Sequence, residues 1–553
     1  MGVCMKRSFV LVFLLLLGAT LGLSAQVTPE DSMYFLMTDR FLDGDSSNNY
    51  TVRPRDLTAY HGGDFAGIIQ KLDYIKTLGF SAIWISPVVD NQSGGYHGYW
   101  AVDFYGVEEH FGDMEILKRL VDEAHKRDIK VIIDLVVNHT GVMHPWLPDP
   151  EYADWFHERR TIQNYEDQFE AENYWLSSLP DLAQEHPETR QYLIDMAIWW
   201  IDQLGHDGYR LDTVRHVPHD FWTDFARAID QRYPDFYLMG EVFHGDFTKV
   251  GSYQQAGLDG LVDFPIYFSI RDFLREGKSG TQFASRINQA RSYQDRDQMA
   301  TFIDNHDVQR YINQVRERVD EKLSQGLLFM FTYTGIPLLY YGTEEPIDGG
   351  SEHSGRRDFN WEAELRFGGL ISTFNTLRRE NPALTSGDFR ILYSDEHTLA
   401  FTRSTDDQAF VTVLYNGEEP VKRSIPLPED FSGYKSGVQL LGPEWLGDSG
   451  GSDRPGRQRE ARDREVVAIA RQESVEVADE YSARGAKNTR ELEEAGRVFR
   501  VSGDTLTVEL EPYTGSLIKM SQEPAPAGKG LLITVLSVVA AAVAGLLIGL
   551  LAK

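Results

Sequence analysis

Three features of the sequence predict an α/β fold, a (β/α)8 TIM barrel with a small insertion subdomain after the third strand and a C-terminal antiparallel β-sandwich. Eight short apolar runs alternate with amphipathic stretches, several of the runs are apolar on both faces, and polar residues gather where the runs end. The runs cover residues 34–38, 82–85, 131–137, 209–214, 237–242, 261–264, 301–304 and 337–341. Val131-Ile132-Ile133 is apolar without alternation, as a strand covered by helices on both faces must be. Between the runs, Phe65, Ile68, Ile69, Leu72 and Ile75 keep one helical face, as do Leu117, Leu120, Val121 and Ala124, and Pro187 suits the first turn of a third helix. An open doubly wound sheet is the alternative. The total of eight and the polar strand ends favour closure.

The remaining segments divide by composition. The stretch 141–178, rich in Trp, Tyr and acidic residues, is too long for a turn and reads as the insertion subdomain within a barrel domain spanning 26–381. From 382 to 521 short alternating runs separated by turn residues predict the sandwich, with a charged insertion at about 447–497, helical around 466–470. Residues 1–25 have the basic start, apolar middle and small-residue exit of a secretory signal. Residues 522–530 read as a linker, and 531–552, apolar and uncharged, as a transmembrane anchor. These ends together predict an exported protein, held outside the cytoplasm by its C-terminal helix. The only cysteine, Cys4, precedes the expected cleavage point, so the mature chain is expected to hold no disulfide.

A formal charge of −30 and a pI near 4.9 argue against a nucleic-acid partner, since phosphate backbones are repelled. Neutral ligands meet no such barrier. Four run ends carry the candidate chemistry: Asp134 to His139, Arg210 to His216, Gly240-Glu241-Val242 and Asp304-Asn305-His306-Asp307. Paired carboxyl groups at a barrel mouth suit glycosidic bond cleavage, in which one protonates the leaving oxygen and the other attacks or stabilises the anomeric carbon. Asp212 has Arg210 two residues earlier on the same strand face, a cation able to hold it ionised. Glu241 has a longer arm and no adjacent cation in sequence, which suits a protonated general acid. Asp307, beside His306, is left to brace the sugar hydroxyls and the cationic transition state.

These segments resemble the α-amylase family, glycoside hydrolase family 13, and the resemblance extends to 37–41, 95–100 and 179–182. It implies a retaining enzyme acting on α-1,4-glucan, with Asp212 as nucleophile, Glu241 as acid and base, and Asp307 as transition-state stabiliser. Tyr99 is implied to stack on the sugar. His97, His139, Arg210 and His306 are implied to bind its hydroxyls or orient the acids, and Arg215, His216 and Phe243 to line the leaving-group side. Asn138, Asp181 and the carbonyl of His216 match the family's calcium site. Asp43, Asp45, Asn48 and Asn49, with Gly62 and Asp64, resemble the additional calcium site of cyclodextrin glucanotransferases. Those enzymes carry an aromatic residue where this chain has Ser177, and further β domains after the sandwich, so hydrolysis is expected over cyclisation. Maltogenic, neopullulanase-like and transglycosylating activities remain alternatives within the family. An inactive membrane-bound glucan-binding or transporter-accessory protein is the alternative from another class.

Overall fold

The computed structural model describes residues 26–350, 352–442 and 487–523. In chain order its first ten strands are β1 (Met33–Leu36), β2 (Ala82–Ile85), β3 (Val89–Asn91), β4 (Ala101–Val107), β5 (Lys130–Leu135), β6 (Gly208–Leu211), β7 (Tyr237–Gly240), β8 (Gly260–Leu261), β9 (Ala300–Phe302) and β10 (Ile336–Tyr340). Eight of them form one parallel sheet in the order β8-β7-β6-β5-β2-β1-β10-β9. A parallel bridge between Val262 and Ala300, with Asp263 N–H donating to the Ala300 carbonyl at 2.9 Å, brings the two edges together. β3 and β4 pair separately as a hairpin and hold residues 92–100 over the barrel mouth.

The helices follow from caps and apolar stripes. Asp113 accepts from the N–H groups of Glu115 and Ile116 and starts Met114–His125, which buries Leu117, Leu120, Val121 and Ala124. Pro187 opens Pro187–Leu204, and Gly205 at φ 63° closes it in the left-handed region.

Several strands stop earlier than the apolar runs suggested. The sixth run loses residues 262–264, because Asp263 caps a helix that begins at Phe264 with Pro265 in its first turn. The fourth stops at Leu211, since Thr213 turns into the left-handed region at φ 45°. Asp212, Glu241 and Asp307 therefore stand on the loops just beyond β6, β7 and β9 rather than within the strands.

The C-terminal part contains β11 (Asp388–Ser394), β12 (Thr398–Ser404), β13 (Ala409–Tyr415), β14 (Val421–Pro426), β15 (Ser436–Leu441), β16 (Val498–Ser502), β17 (Thr505–Leu510) and β18 (Gly515–Ser521). Their order is β11-β12-β13-β18-β15-β16-β17-β14, and the pairs are antiparallel. Alternation along β13 explains its complete burial. Ala409, Val411, Val413 and Tyr415 face the sandwich interior, while Phe410 and Leu414 join the barrel's core. Two buried arginines fasten that contact. Arg403 donates to the carbonyls of Tyr333, Leu384, Thr385 and Gly387, and Arg378 to those of Pro29, Phe331, Gly335 and Leu384.

The expected signal, the anchor, all of the linker but 522–523, and the insertion out to 486 lie outside the described residues. The expectation of an exported protein held by a membrane helix is corrected here. Among the described residues no helix is long and apolar enough to cross a membrane.

Candidate active site

The centre of the barrel mouth is one buried guanidinium. Arg210, on β6, lies 3.0 Å from Asp134, 2.7 Å from Asp212 and 2.9 Å from Glu241. Asp134, at the end of β5, also accepts from Trp84 Nε1 at 3.1 Å and Tyr99 OH at 2.8 Å. On the other side Asp307 lies 3.0 Å from Arg356 and 3.2 Å from His306 Nε2, which meets Tyr99 OH at 2.7 Å. A chain of polar contacts thus runs from Asp307 through His306, Tyr99 and Asp134 to Arg210.

Thr213 aims two of the acids. Its backbone N–H donates to Glu241 Oε2 at 3.1 Å, and its hydroxyl donates to Asp212 Oδ2 at 3.0 Å. A β-branched residue in the left-handed region costs on the order of 1–3 kcal/mol, and such strain concentrates at working sites.

The environments separate the acids. Burial pushes Glu241 up to about 8, opposed by Arg210 and reinforced by Asp212 and Asp307. Below that value the Arg210 contact is a hydrogen bond to a neutral carboxyl, and only above it an ion pair. Burial alone would raise Asp307, yet His306, Arg356 and Arg210 outweigh it and hold the group below the usual carboxylate range. Burial drives His306 itself down to about 3, so the permanent cation beside Asp307 is Arg356. Asp134 rises to about 7, chiefly through burial, so a proton is within its reach near neutrality.

The remaining predicted residues fall into three groups. His97, Tyr99 and His139 join the acids: Tyr99 N–H donates to His97 Nδ1 at 3.1 Å, and His139 Nε2 meets the Tyr99 carbonyl at 3.1 Å. Burial lowers both imidazoles, so they are neutral hydrogen-bonding groups. Phe243 stands half-exposed at the rim, packed on Phe264 with ring centres 4.4 Å apart. Arg215 and His216 turn instead to the insertion subdomain. Arg215 donates to the Tyr165 carbonyl and accepts from Gln168 at 2.9 Å on its own carbonyl, and His216 Nδ1 meets the Ala171 carbonyl at 3.0 Å.

The calcium positions were tested on their polar atoms. Asn138 Oδ1 and Asp181 Oδ1 are both buried without a hydrogen-bond partner, a donor set that fits a hard cation. Asp181 Oδ2 lies 2.6 Å from His157 Nδ1. In the second cluster Asn48 Oδ1 and Asn49 Oδ1 are likewise buried and unpartnered, and a Cβ on Gly62 would come within 2.5 Å of Asn49 Oδ1. Asp43 accepts from Asn49 Nδ2 at 2.7 Å, and Asp45 from Ser47 N–H at 3.0 Å. Asp64 differs from its neighbours: it accepts from the N–H groups of Gly44, Asp45 and Gly67 and caps helix Phe65–Thr77.

Sequence reasoning gave no role to Asp134, Thr213 or Arg356. Asp134 ends a strand and was legible by position. Thr213 needed the backbone angle, and Arg356 lies in a loop well past β10, far in sequence from Asp307.

A parallel barrel with ionisable groups gathered at the carboxyl ends of its strands is the architecture of a barrel enzyme. Residues 35–366 match the catalytic domain of α-amylase, and the chain belongs to that family of glycoside hydrolases. It is 37% identical over 430 residues to a β/α-amylase of Paenibacillus polymyxa, covering 74% of this chain but only 35% of that protein. It is 30% identical to a cyclomaltodextrinase of Bacillus, covering 69% of this chain and 72% of that one. The solved α-amylase structure from Anoxybacillus superposes with a TM-score of 0.77 at 37% identity, covering 90% of this chain and 99% of that chain.

Proposed function

We propose that the protein is a retaining hydrolase of α-1,4-glucosidic bonds in starch, glycogen or maltooligosaccharides. The observation that carries this reading is the sharing of one guanidinium by Asp212 and Glu241, with Glu241 protonated near neutrality. Glu241 delivers its proton to the departing glycosidic oxygen while Asp212 attacks the anomeric carbon. The glycosyl–Asp212 ester is then opened by a water that Glu241 deprotonates, which restores both groups. Asp307 and the neutral imidazoles of His97, His139 and His306 bind ring hydroxyls, and Asp307 opposes the positive charge that develops at the anomeric carbon.

Calcium belongs to this reading as a structural ion. Asn138, Asp181 and the His216 carbonyl would hold it, tying the insertion subdomain to the loop after β6 that carries Asp212. A second ion would sit among Asp43, Asp45, Asn48 and Asn49 at the Gly62 turn, with Asp64 shaping the loop.

Relatives named as a cyclomaltodextrinase and a maltogenic α-amylase support a second reading, a cyclomaltodextrin-opening or maltose-releasing specificity on the same machinery. Incubation with maltoheptaose, β-cyclodextrin and pullulan separates the two. Random shortening of maltoheptaose with slow cyclodextrin turnover supports the amylase. Faster cyclodextrin opening supports the alternative. Proton NMR of the first product should detect the α-anomer, and initial β-anomer would exclude the retaining mechanism.

A further inference from the structure

The loop that leaves Glu241 also walls a second hollow. A cleft of about 480 Å³ opens between helix Phe264–Ile270, continued by a π-helical turn at Arg271–Arg275, and helix Gly280–Gln289. That volume falls within the roughly 300–1,000 Å³ of small-ligand sites. Its lining includes Gly245, Phe268, Asp272, Lys278, Gln282 and Arg286. Single π-turns are rare and recur at functional sites. This one, closed by the Glu276 N–H donating to the Arg271 carbonyl at 3.0 Å, carries Asp272 on the cleft wall.

The charges of the cleft are matched internally. Lys278 lies 3.0 Å from both Asp272 and Glu276, while Arg286 donates to the Gly245 carbonyl and to Gln289 and stacks over Phe247 at 4.6 Å. A phosphate or carboxylate ligand would have to displace those partners. Neutral groups are open instead: Gln282 and Ser285 stand exposed, with no side-chain hydrogen bond among the described residues. The half-buried ring of Phe268 adds an aromatic surface. Its centre is 6.2 Å from that of Phe243 at the catalytic rim, and a Cβ on Gly245 would lie 3.5 Å from the Phe268 ring. Gly245 therefore brings bare backbone against the Phe268 ring where the cleft adjoins the rim. An aromatic ring, neutral hydrogen-bonding groups and cancelled charge together suit an uncharged polyhydroxylated chain.

We propose that this cleft is an accessory binding site for neutral α-glucan, taking the stretch of a long chain that extends past Phe243 on the leaving-group side. The inference rests on the glucan-hydrolase reading. It predicts that the cleft adds to the preference for long substrates. Ser285→Glu sets an unpaired carboxylate on the wall, and Gln282→Ala removes a neutral hydrogen-bonding group. In each variant the ratio of kcat/KM on soluble starch to kcat/KM on maltotriose should fall about threefold to tenfold, which corresponds to roughly 0.7–1.4 kcal/mol. The thermal midpoint should stay that of the parent. An unchanged ratio in both variants, whatever their absolute rates, overturns the proposal. A parent protein that cleaves neither substrate would instead remove the hydrolase reading. Calorimetric binding of maltoheptaose, weakened by Ser285→Glu and retained by Glu241→Gln, would then still report on the cleft, and equal binding by parent and Ser285→Glu would reject it.

Discussion

Among the places where the described residues bury guanidinium groups completely, two use them for opposite ends. At the barrel mouth Arg210 faces carboxylates, and their combined charge outweighs burial and holds its proton more tightly than usual. At the contact between barrel and sandwich, Arg378 and Arg403 face backbone carbonyls, and burial, with repulsion from Arg403 on the first and from Arg296 on the second, pulls them down to about 9 and about 10. A guanidinium among acids sets which of them holds a proton. One among carbonyls satisfies chain ends and loops that would otherwise be buried without donors. Chemistry should therefore fail at the first place without loss of fold, and fold at the second without loss of chemistry.

The largest expected effect tests the first half of that contrast. Glu241→Gln should lower kcat on soluble starch by about 10²–10⁴-fold, with Asp212→Asn and Asp307→Asn comparably impaired, while circular dichroism and the melting temperature stay near the parent values. Near-normal turnover in purified Glu241→Gln would remove the acid assignment.

The second half is tested by Arg403→Met, which removes a donor from four buried carbonyls, of which Leu384 alone keeps Arg378. Unfolding in urea should show a loss of about 2–4 kcal/mol, with kcat at 25 °C within about twofold of the parent. A large fall in kcat at unchanged stability would erase the distinction between the two sites.

Calcium would add a third kind of buried charge. If it binds only the folded chain, an ion at about a hundred times its dissociation constant contributes about 2.7 kcal/mol, so EDTA should lower both melting temperature and activity. Asp181→Ala should abolish most of that response and lower turnover, whereas Asp43→Ala should lower stability more than turnover. An ion-free protein by metal analysis, with a melting temperature indifferent to EDTA, would rule the sites out.

A further test lies in pH dependence. Because the Glu241 carboxyl titrates at about 8 in the folded protein against an ordinary value of 4.5, its protonated form is lost as pH rises through 8. kcat should fall on that alkaline limb. Stability should follow the same sign, since the raised group favours the fold fully at low pH and loses that contribution through about pH 8. Glu241→Gln should flatten this part of the stability profile, and an equally steep fall in the variant would assign it to another group.

Much of this was legible in the chain because it is local. Apolar runs on both faces identified the parallel strands, and acids at their ends identified the mouth. What escaped depended on angles or distant partners. Thr213 reads as an ordinary residue until its left-handed backbone is known, and Arg356 meets Asp307 only once the loop after β10 folds back. Arg215 illustrates the converse. The family resemblance implied a place on the leaving-group side of the sugar, and its guanidinium meets the Tyr165 carbonyl of the insertion subdomain. Hydropathy alone suggested the membrane anchor, and no described helix supports it.

The pairing of β1 with β10 has a consequence for synthesis. Met33 lies beside Leu338, and the Pro29 carbonyl is reached by Arg378. A ribosome therefore releases the first strand long before its second neighbour exists. Until then one edge of β1 presents unpaired backbone, the kind of exposure that recruits unintended partners. Arg403 comes later still, so the emerging chain has the acids of its barrel mouth in hand before it can fasten the C-terminal domain.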